Sequence, residues 1–405
     1  MALRFHKETL PNGLTVVAEE NTGAHTAAVG FFVRTGARDE ERPVMGVSHF
    51  LEHMMFKGTA QRTADEVNRE FDAMGASNNA YTSEENTVYW ARVLPEKLPL
   101  AVDLIGDMLR PALRDEDFDI EKNVILEEIG MYEDRPQWRL HDSLCEVHFG
   151  DHPMSYRILG TTDSIKALCV DQMRDYFSER YSPDNVTVAA AGKLDFGRLV
   201  EDVKQRCAAW APTGTERRYD PPSLESRDHA LQDPKLSRHY VAMICPGPTA
   251  QDPRRYAAAV LTDVLGAADG SRLYWALIDP GLADEADISI NTQDRTGCYL
   301  AYASCDPGRA QQVEQILLET LDGYAQRIDA GEIERAKNKI ATDDTLAGES
   351  PGGRMRAIGL QWTYLGRYVS LAEEIEQLMA VTVDDVRDLM TAYPFQPRTV
   401  ARLGP

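Results

Sequence analysis

The stretch Ser48-His49-Phe50-Leu51-Glu52-His53-Met54-Met55-Phe56 decides how the rest of the chain is read. It contains no Gly or Pro, and it predicts a helix. On a period of 3.6 residues, His49, Glu52, His53 and Phe56 share one face. Phe50, Leu51, Met54 and Met55 occupy the other side, so the helix is apolar nearly all round and is expected to be buried. Two imidazoles and a carboxylate inside a core need partners, because an unpaired buried polar group is costly. A zinc ion supplies that compensation, since imidazoles four residues apart on a helix can both reach one ion. The other histidines of the chain form no such spacing.

Such an ion needs a third protein ligand, commonly a carboxylate when water is to take the fourth position. The best source is Asp117 to Met131, where Phe118, Val124, Ile125 and Ile129 mark a face expected to be buried. Glu121 and Glu128 fall in the middle of that face, whereas Glu127 falls beside Asn123, away from it. Two carboxylates on an apolar stripe break the pattern of a purely structural helix. Glu128 is therefore the expected third ligand. Glu121, two turns earlier, is placed to orient a ligand histidine from behind.

Outward from this region the chain is written twice. Val170-Asp-Gln-Met-Arg-Asp175 precedes Val186-Thr-Val-Ala-Ala-Ala-Gly192, and Val383-Asp-Asp-Val-Arg-Asp388 precedes Thr399-Val-Ala-Arg-Leu-Gly404. Each is an amphipathic helix followed by an apolar strand ending in Gly. In the first half, strands at about 13–20 and 26–36 lead to helices at about 43–57 and 63–75, then a hairpin at about 78–93. The second half repeats the order: a strand at about 238–245, helices at about 253–265 and 271–279, and a strand pair at about 285–305. Mixed runs of strands and helices, rather than strict alternation, predict an α+β fold. Two homologous domains are expected, each a largely antiparallel sheet covered by helices. Residues 1–212 form the N-terminal, zinc-binding one and 226–405 the C-terminal one without a metal site. Residues 213–225, within a stretch rich in Pro, Gly and Ser, read as the linker.

Length agrees with this division, since 405 residues exceed one ordinary core. A formal net charge of −22 argues against nucleic-acid binding and against adsorption to anionic membranes, and it suits a basic peptide ligand as well as plain solubility. Six cysteines with no C-x-x-C pair read as reduced core thiols. No apolar stretch of 18 residues exists, so no membrane span is expected. Met1 to Leu10 lacks an apolar signal core, and a cytoplasmic location is the expectation, a cleaved leader being invisible at this level.

With these residues in place the chain resembles the pitrilysin/insulysin superfamily of inverted zinc peptidases, in particular the branch of the mitochondrial processing peptidase and its zinc-bearing subunit. The resemblance rests on His49-Phe50-Leu51-Glu52-His53, on Glu128 and Glu121, on Gly75 to Tyr89, on Asn12 to Val16 and on Arg157 to Thr161, and it spans nearly the whole chain. It implies a zinc metalloendopeptidase with the processing-peptidase (LuxS-like) metallohydrolase fold. Peptides would bind as an added β-strand, with Asn79 and Ala80 meeting the substrate backbone. Zinc makes water more acidic; Glu52, sharing the ligand face but aimed at the water, takes its proton and returns it to the leaving amine.

The chain departs from the family in its second half. Active members carry an Arg and a Tyr seven residues apart that bind the substrate backbone and stabilise the tetrahedral intermediate. Aligned on Gly281-Leu282-Ala283, those positions are Leu277 and Asp284, while Arg272 and Tyr274 stand in the wrong turn to replace them. A lost donor of this kind costs roughly 100- to 1000-fold in rate. The leading reading is a catalytic subunit in a heterodimer whose homologous partner lacks H-x-x-E-H and supplies both residues. An active homodimer and a non-catalytic scaffolding subunit are the alternatives.

Overall fold

A computed structural model describes residues 3–405. In the first half β1 (Arg4–Thr9), β2 (Thr15–Glu20), β3 (Ala27–Val33), β4 (Ser77–Thr82), β5 (Thr87–Val93) and β6 (Val186–Gly192) form one sheet, in the order β1-β2-β6-β3-β5-β4. The β2–β6 pair is parallel and the other four are antiparallel. The helices of this half are α1 (Val47–Met54), α2 (Ala64–Met74), α3 (Leu98–Met108), α4 (Asp115–Glu133), α5 (Pro136–Phe149), α6 (Thr162–Ala167), α7 (Val170–Arg180) and α8 (Phe196–Cys207).

The second half contributes β7 (Arg227–Gln232), β8 (His239–Pro246), β9 (Glu285–Gln293), β10 (Thr296–Cys305) and β11 (Thr399–Gly404), in the order β7-β11-β8-β10-β9. Its helices are α9 (Arg255–Gly266), α10 (Ala310–Gly323), α11 (Ala330–Gly348), α12 (Pro351–Leu365), α13 (Leu371–Met379) and α14 (Val383–Ala392), with a π-helical turn at Tyr274–Ile278. With β1 set aside, the two sheets have one strand order, and in each the last strand runs parallel to the first. The repeat read from the helix–strand ends is thus a repeat of the whole sheet. The fold is α+β, as expected.

Packing divides the chain into two compact units that are not contiguous. One holds residues through Gly130, Tyr156–Arg218 and Leu346–Val369; the other holds Met131–Ser155, Tyr219–Thr345 and Ser370–Pro405. The sequence boundaries 1–212, 213–225 and 226–405 follow the chain instead, and two helices depart from them. Met355 and Ile358 of α12 join Phe32, Val88 and Ala189 in a core on one face of the first sheet. The approach is close: a Cβ at Gly359 would lie 2.3 Å from the Phe32 ring, so only glycine fits there. Leu140 and Leu144 of α5 pack with Ala242, Ile244, Ala401 and Leu403 of the second sheet. An amphipathic pattern shows that a face is buried, but not which sheet buries it.

Covered on both faces, β3 is buried at all seven positions, as a continuous apolar run requires. All six cysteines are free; four are buried, Cys145 is half-buried and Cys169 is exposed, so the reading as core thiols fails for Cys169. Among the described residues no helix is long and apolar enough to cross a membrane.

Candidate metal centre

Helix α1 starts at Gly46, whose φ of +93° lies in the left-handed region, and a Cβ there would lie 2.7 Å from the Leu159 carbonyl oxygen. The helix is short and embedded, with Val47, Phe50, Leu51 and Met54 in the first core. This anchoring fixes the remaining face. His49 Nε2 and His53 Nε2 lie 3.9 and 3.7 Å from Glu128 Oε2. The three ligand atoms fall within 4.8 Å of one another. These separations are too long for hydrogen bonds. They are close to the roughly 3.4 Å between donors that share a four-coordinate ion at bond lengths of about 2.1 Å. The donor set therefore fits zinc.

Burial, and then the neighbouring His53, push the His49 imidazole down to about 3, which keeps it a neutral donor. His53 Nδ1 lies 2.8 Å from Glu121 Oε1, and the Lys57 ammonium pairs with the other oxygen of Glu121. Burial works against the charge of Glu121, but the bonds from Lys57 and His53 outweigh it and hold the carboxyl below its usual range. A carboxylate behind His53 fixes the tautomer that leaves Nε2 free for the ion.

Glu52, on the same face, is half-buried. Its Oε2 accepts a 2.6 Å hydrogen bond from Thr82 Oγ1, at the end of β4. Burial raises its pKa and the Thr82 bond opposes the rise. No periodicity or motif marks Thr82 or Lys57 in the sequence: Thr82 ends a strand whose pattern speaks for its backbone, and Lys57 lies beyond H-x-x-E-H.

Among the described residues, strand β4 is the edge of its sheet and pairs with β5 alone. Asn79 is exposed and its Oδ1 accepts the Ala80 N–H at 2.9 Å. That side chain occupies a donor an added strand would need, so it must turn aside for a peptide to pair there. On α4, Glu128 is half-buried and Glu127 exposed, in the expected phase, and Glu121 is buried. Val124, expected on the buried face, is exposed instead: it lies a full residue from the stripe through Glu121, Ile125 and Glu128.

Residues 15–162 match the family described as Insulinase (Peptidase family M16), and residues 168–340 match the Peptidase M16 inactive domain. The chain belongs to the insulinase (peptidase M16) family. A relative named an uncharacterized zinc protease of Streptomyces coelicolor is 34% identical, over 98% of this chain and 89% of its own. The probable mitochondrial-processing peptidase subunit beta of Arabidopsis thaliana is 28% identical, over 98% of this chain and 78% of its own. A protease from Helicobacter pylori has the same fold, with a TM-score of 0.91 at 21% identity and full coverage of both chains.

In this M16 chain the two departures of the second half are built into its packing. Leu277 sits in the π-turn, fully buried in the second core. Asp284 pairs with Arg238 at 3.1 Å. Arg272 is held by Glu332 at 2.7 Å and lies over the Tyr324 ring, a structural role.

Proposed function

We propose that this chain is the zinc-carrying subunit of a peptidase of the mitochondrial-processing-peptidase-like branch, acting on peptides or unfolded protein segments. His49, His53 and Glu128 would hold the ion, with Glu121 orienting His53. The observation that carries the reading is the convergence of both imidazole Nε2 atoms on Glu128, beside a carboxylate, Glu52, on the helix of the two imidazoles that accepts a hydrogen bond from Thr82. When bound, the ion would make water more acidic and polarise the scissile carbonyl. Glu52, with one oxygen engaged by Thr82, has the other available to take the proton from that water. It then passes the proton to the leaving amine. The edge of β4 at Asn79 and Ala80 would align the peptide by backbone hydrogen bonds.

The chain would work with a homologous partner lacking H-x-x-E-H. Leu277 and Asp284 offer an apolar side chain and an ion-paired carboxylate where family members have an Arg and a Tyr, and a carboxylate repels an oxyanion. The subunit name of the plant relative accords with this. The test is to express the chain alone, measure its zinc, and assay an unfolded peptide with and without a candidate partner. The lone chain should carry about one zinc and run roughly 100- to 1000-fold below the complex. Full hydrolysis by the lone chain would remove the need for a partner, and a lone chain without zinc would remove the peptidase reading.

A further inference from the structure

Three consecutive ionisable residues, Arg38, Asp39 and Glu40, are buried just before α1. Buried charges cost free energy, and well-packed apolar residues in their place are often as stable, so stability alone does not explain three in a row. Each has a separate anchor. Arg38 donates to Glu85, in the turn between β4 and β5. Asp39 accepts from Arg217 Nε at 2.8 Å and from its Nη2 at 2.7 Å. Glu40 accepts the Gly46 N–H at 2.7 Å and the Ser48 N–H at 2.8 Å. The backbone joins in: the Ala37 and Arg38 N–H groups donate to the Ser83 and Glu84 carbonyls, at 3.3 and 2.8 Å.

The Glu40 contacts fall on the first turn of α1, whose own N-cap, Gly46, has no side chain to offer. The first N–H groups of a helix need outside acceptors, and a carboxylate there also meets the positive end of the helix dipole. Burial pushes the Glu40 carboxyl up to about 8, while the N–H groups of Ser48 and Gly46 pull the other way, so these bonds favour the charged form. The same short segment thus grips the helix that carries His49, Glu52 and His53, and the turn that follows Thr82, the residue bonded to Glu52. In the second half the corresponding segment is tied to the β9–β10 turn by Gln251, whose amide donates to Asp294 at 2.9 Å and accepts the Arg295 N–H at 3.0 Å, and by the Ala250 N–H, which donates to the Gln293 carbonyl at 2.9 Å.

We propose that Arg38-Asp39-Glu40 is a strap that sets the metal-carrying helix against the β4–β5 hairpin, with Glu40 as the positioning residue for His49 and His53. The proposal rests on the peptidase reading for its purpose but not for its test. Glu40→Gln keeps the shape and replaces one acceptor oxygen by a donor that meets an N–H. In the zinc-free protein, amide hydrogen exchange over residues 47–54 should then quicken about tenfold, in line with the loss of a helix cap. Exchange in β3 should be unchanged. Zinc affinity, read by chelator competition, should weaken about tenfold, in the range expected when support of the ligands is lost. Glu40→Asp keeps the carboxyl group on a shorter stem and should move both readings the same way by less, which preserves the test if Glu40→Gln does not fold. Unchanged exchange at 47–54, or an equal loss of protection in β3, overturns the strap whatever the activity. A wild-type chain that binds no zinc overturns the peptidase reading and leaves the exchange result to stand or fall alone.

Discussion

The two halves share a frame down to single side chains, and they part company where the candidate chemistry begins. Lys122 of α4 donates to the Lys166 and Leu168 carbonyls at 2.7 and 2.8 Å; Lys337 of α11 donates to the Met379 and Val381 carbonyls at 2.9 and 3.0 Å. The residue before Lys122 is Glu121, bonded to His53, whereas the residue before Lys337 is Ala336, packed in the second core. The helix after the central strand differs in the same way. In α1 it presents His49, Glu52 and His53; in α9 it buries Ala257, Ala258, Val260, Leu261, Val264 and Leu265. The second half therefore shows that the frame closes without a buried imidazole or carboxylate in this helix, where the one buried polar side chain, Thr262, bonds back to the Ala258 and Ala259 carbonyls. The imidazoles and carboxylates of the first half are not needed to fold it, and buried polar groups that folding does not need point to function.

The largest effect is expected from a charge placed where the second half is packed. Leu277→Arg places an unpaired charge in the second core and should cost about 3–5 kcal/mol in denaturant unfolding. The change that restores the family's Arg by sequence should thus damage the fold rather than repair a site. A loss below about 1 kcal/mol, the typical value for any substitution, would mean that the core yields there. Next in size is the shared frame. Lys122→Met and Lys337→Met should each lose about 1.5–3 kcal/mol, the worth of a charged hydrogen bond, and neither should change zinc content. A large loss in one half beside none in the other would show that the repeat is one of shape only. Glu121→Ala makes α4 like its counterpart; stability should hold while zinc affinity falls roughly 10- to 100-fold, measured by chelator competition. Equal zinc affinity in that variant would show that Glu121 does nothing for His53. The smallest effect belongs to Glu127→Ala, which should change stability by no more than about 0.5 kcal/mol. A zinc-free Glu127→Ala protein would overturn the helical phase that selects Glu128.

Much of this was legible in the sequence because it is periodic. The α1 face follows from residue spacing, as does the phase that brings Glu128 near His49 and His53 while Glu127 stays exposed. The strand from Val186 to Gly192 and its echo at the C-terminus gave away the repeat. What stayed hidden depends on which surfaces meet. Nothing in the pattern of α12 says that Met355 and Ile358 face the first sheet, because any apolar core satisfies an apolar face. Arg38, Asp39 and Glu40 look like a solvated turn in sequence, since burial of charge depends on partners as distant as Arg217. Val124 shows the converse: its apolar type suggests burial, but its helical phase puts it outside.

Zinc analysis of two matched variants, each also assayed for peptide hydrolysis with a candidate partner present, reads the division of labour among His49, His53, Glu128 and Glu52. Glu52→Gln leaves the ligands intact, so it should keep about one zinc while hydrolysis falls roughly 100- to 10,000-fold. Glu128→Gln removes a charged ligand and should release the zinc, and activity with it. The contradicting result is the reverse: zinc lost from Glu52→Gln, with zinc and hydrolysis both retained in Glu128→Gln.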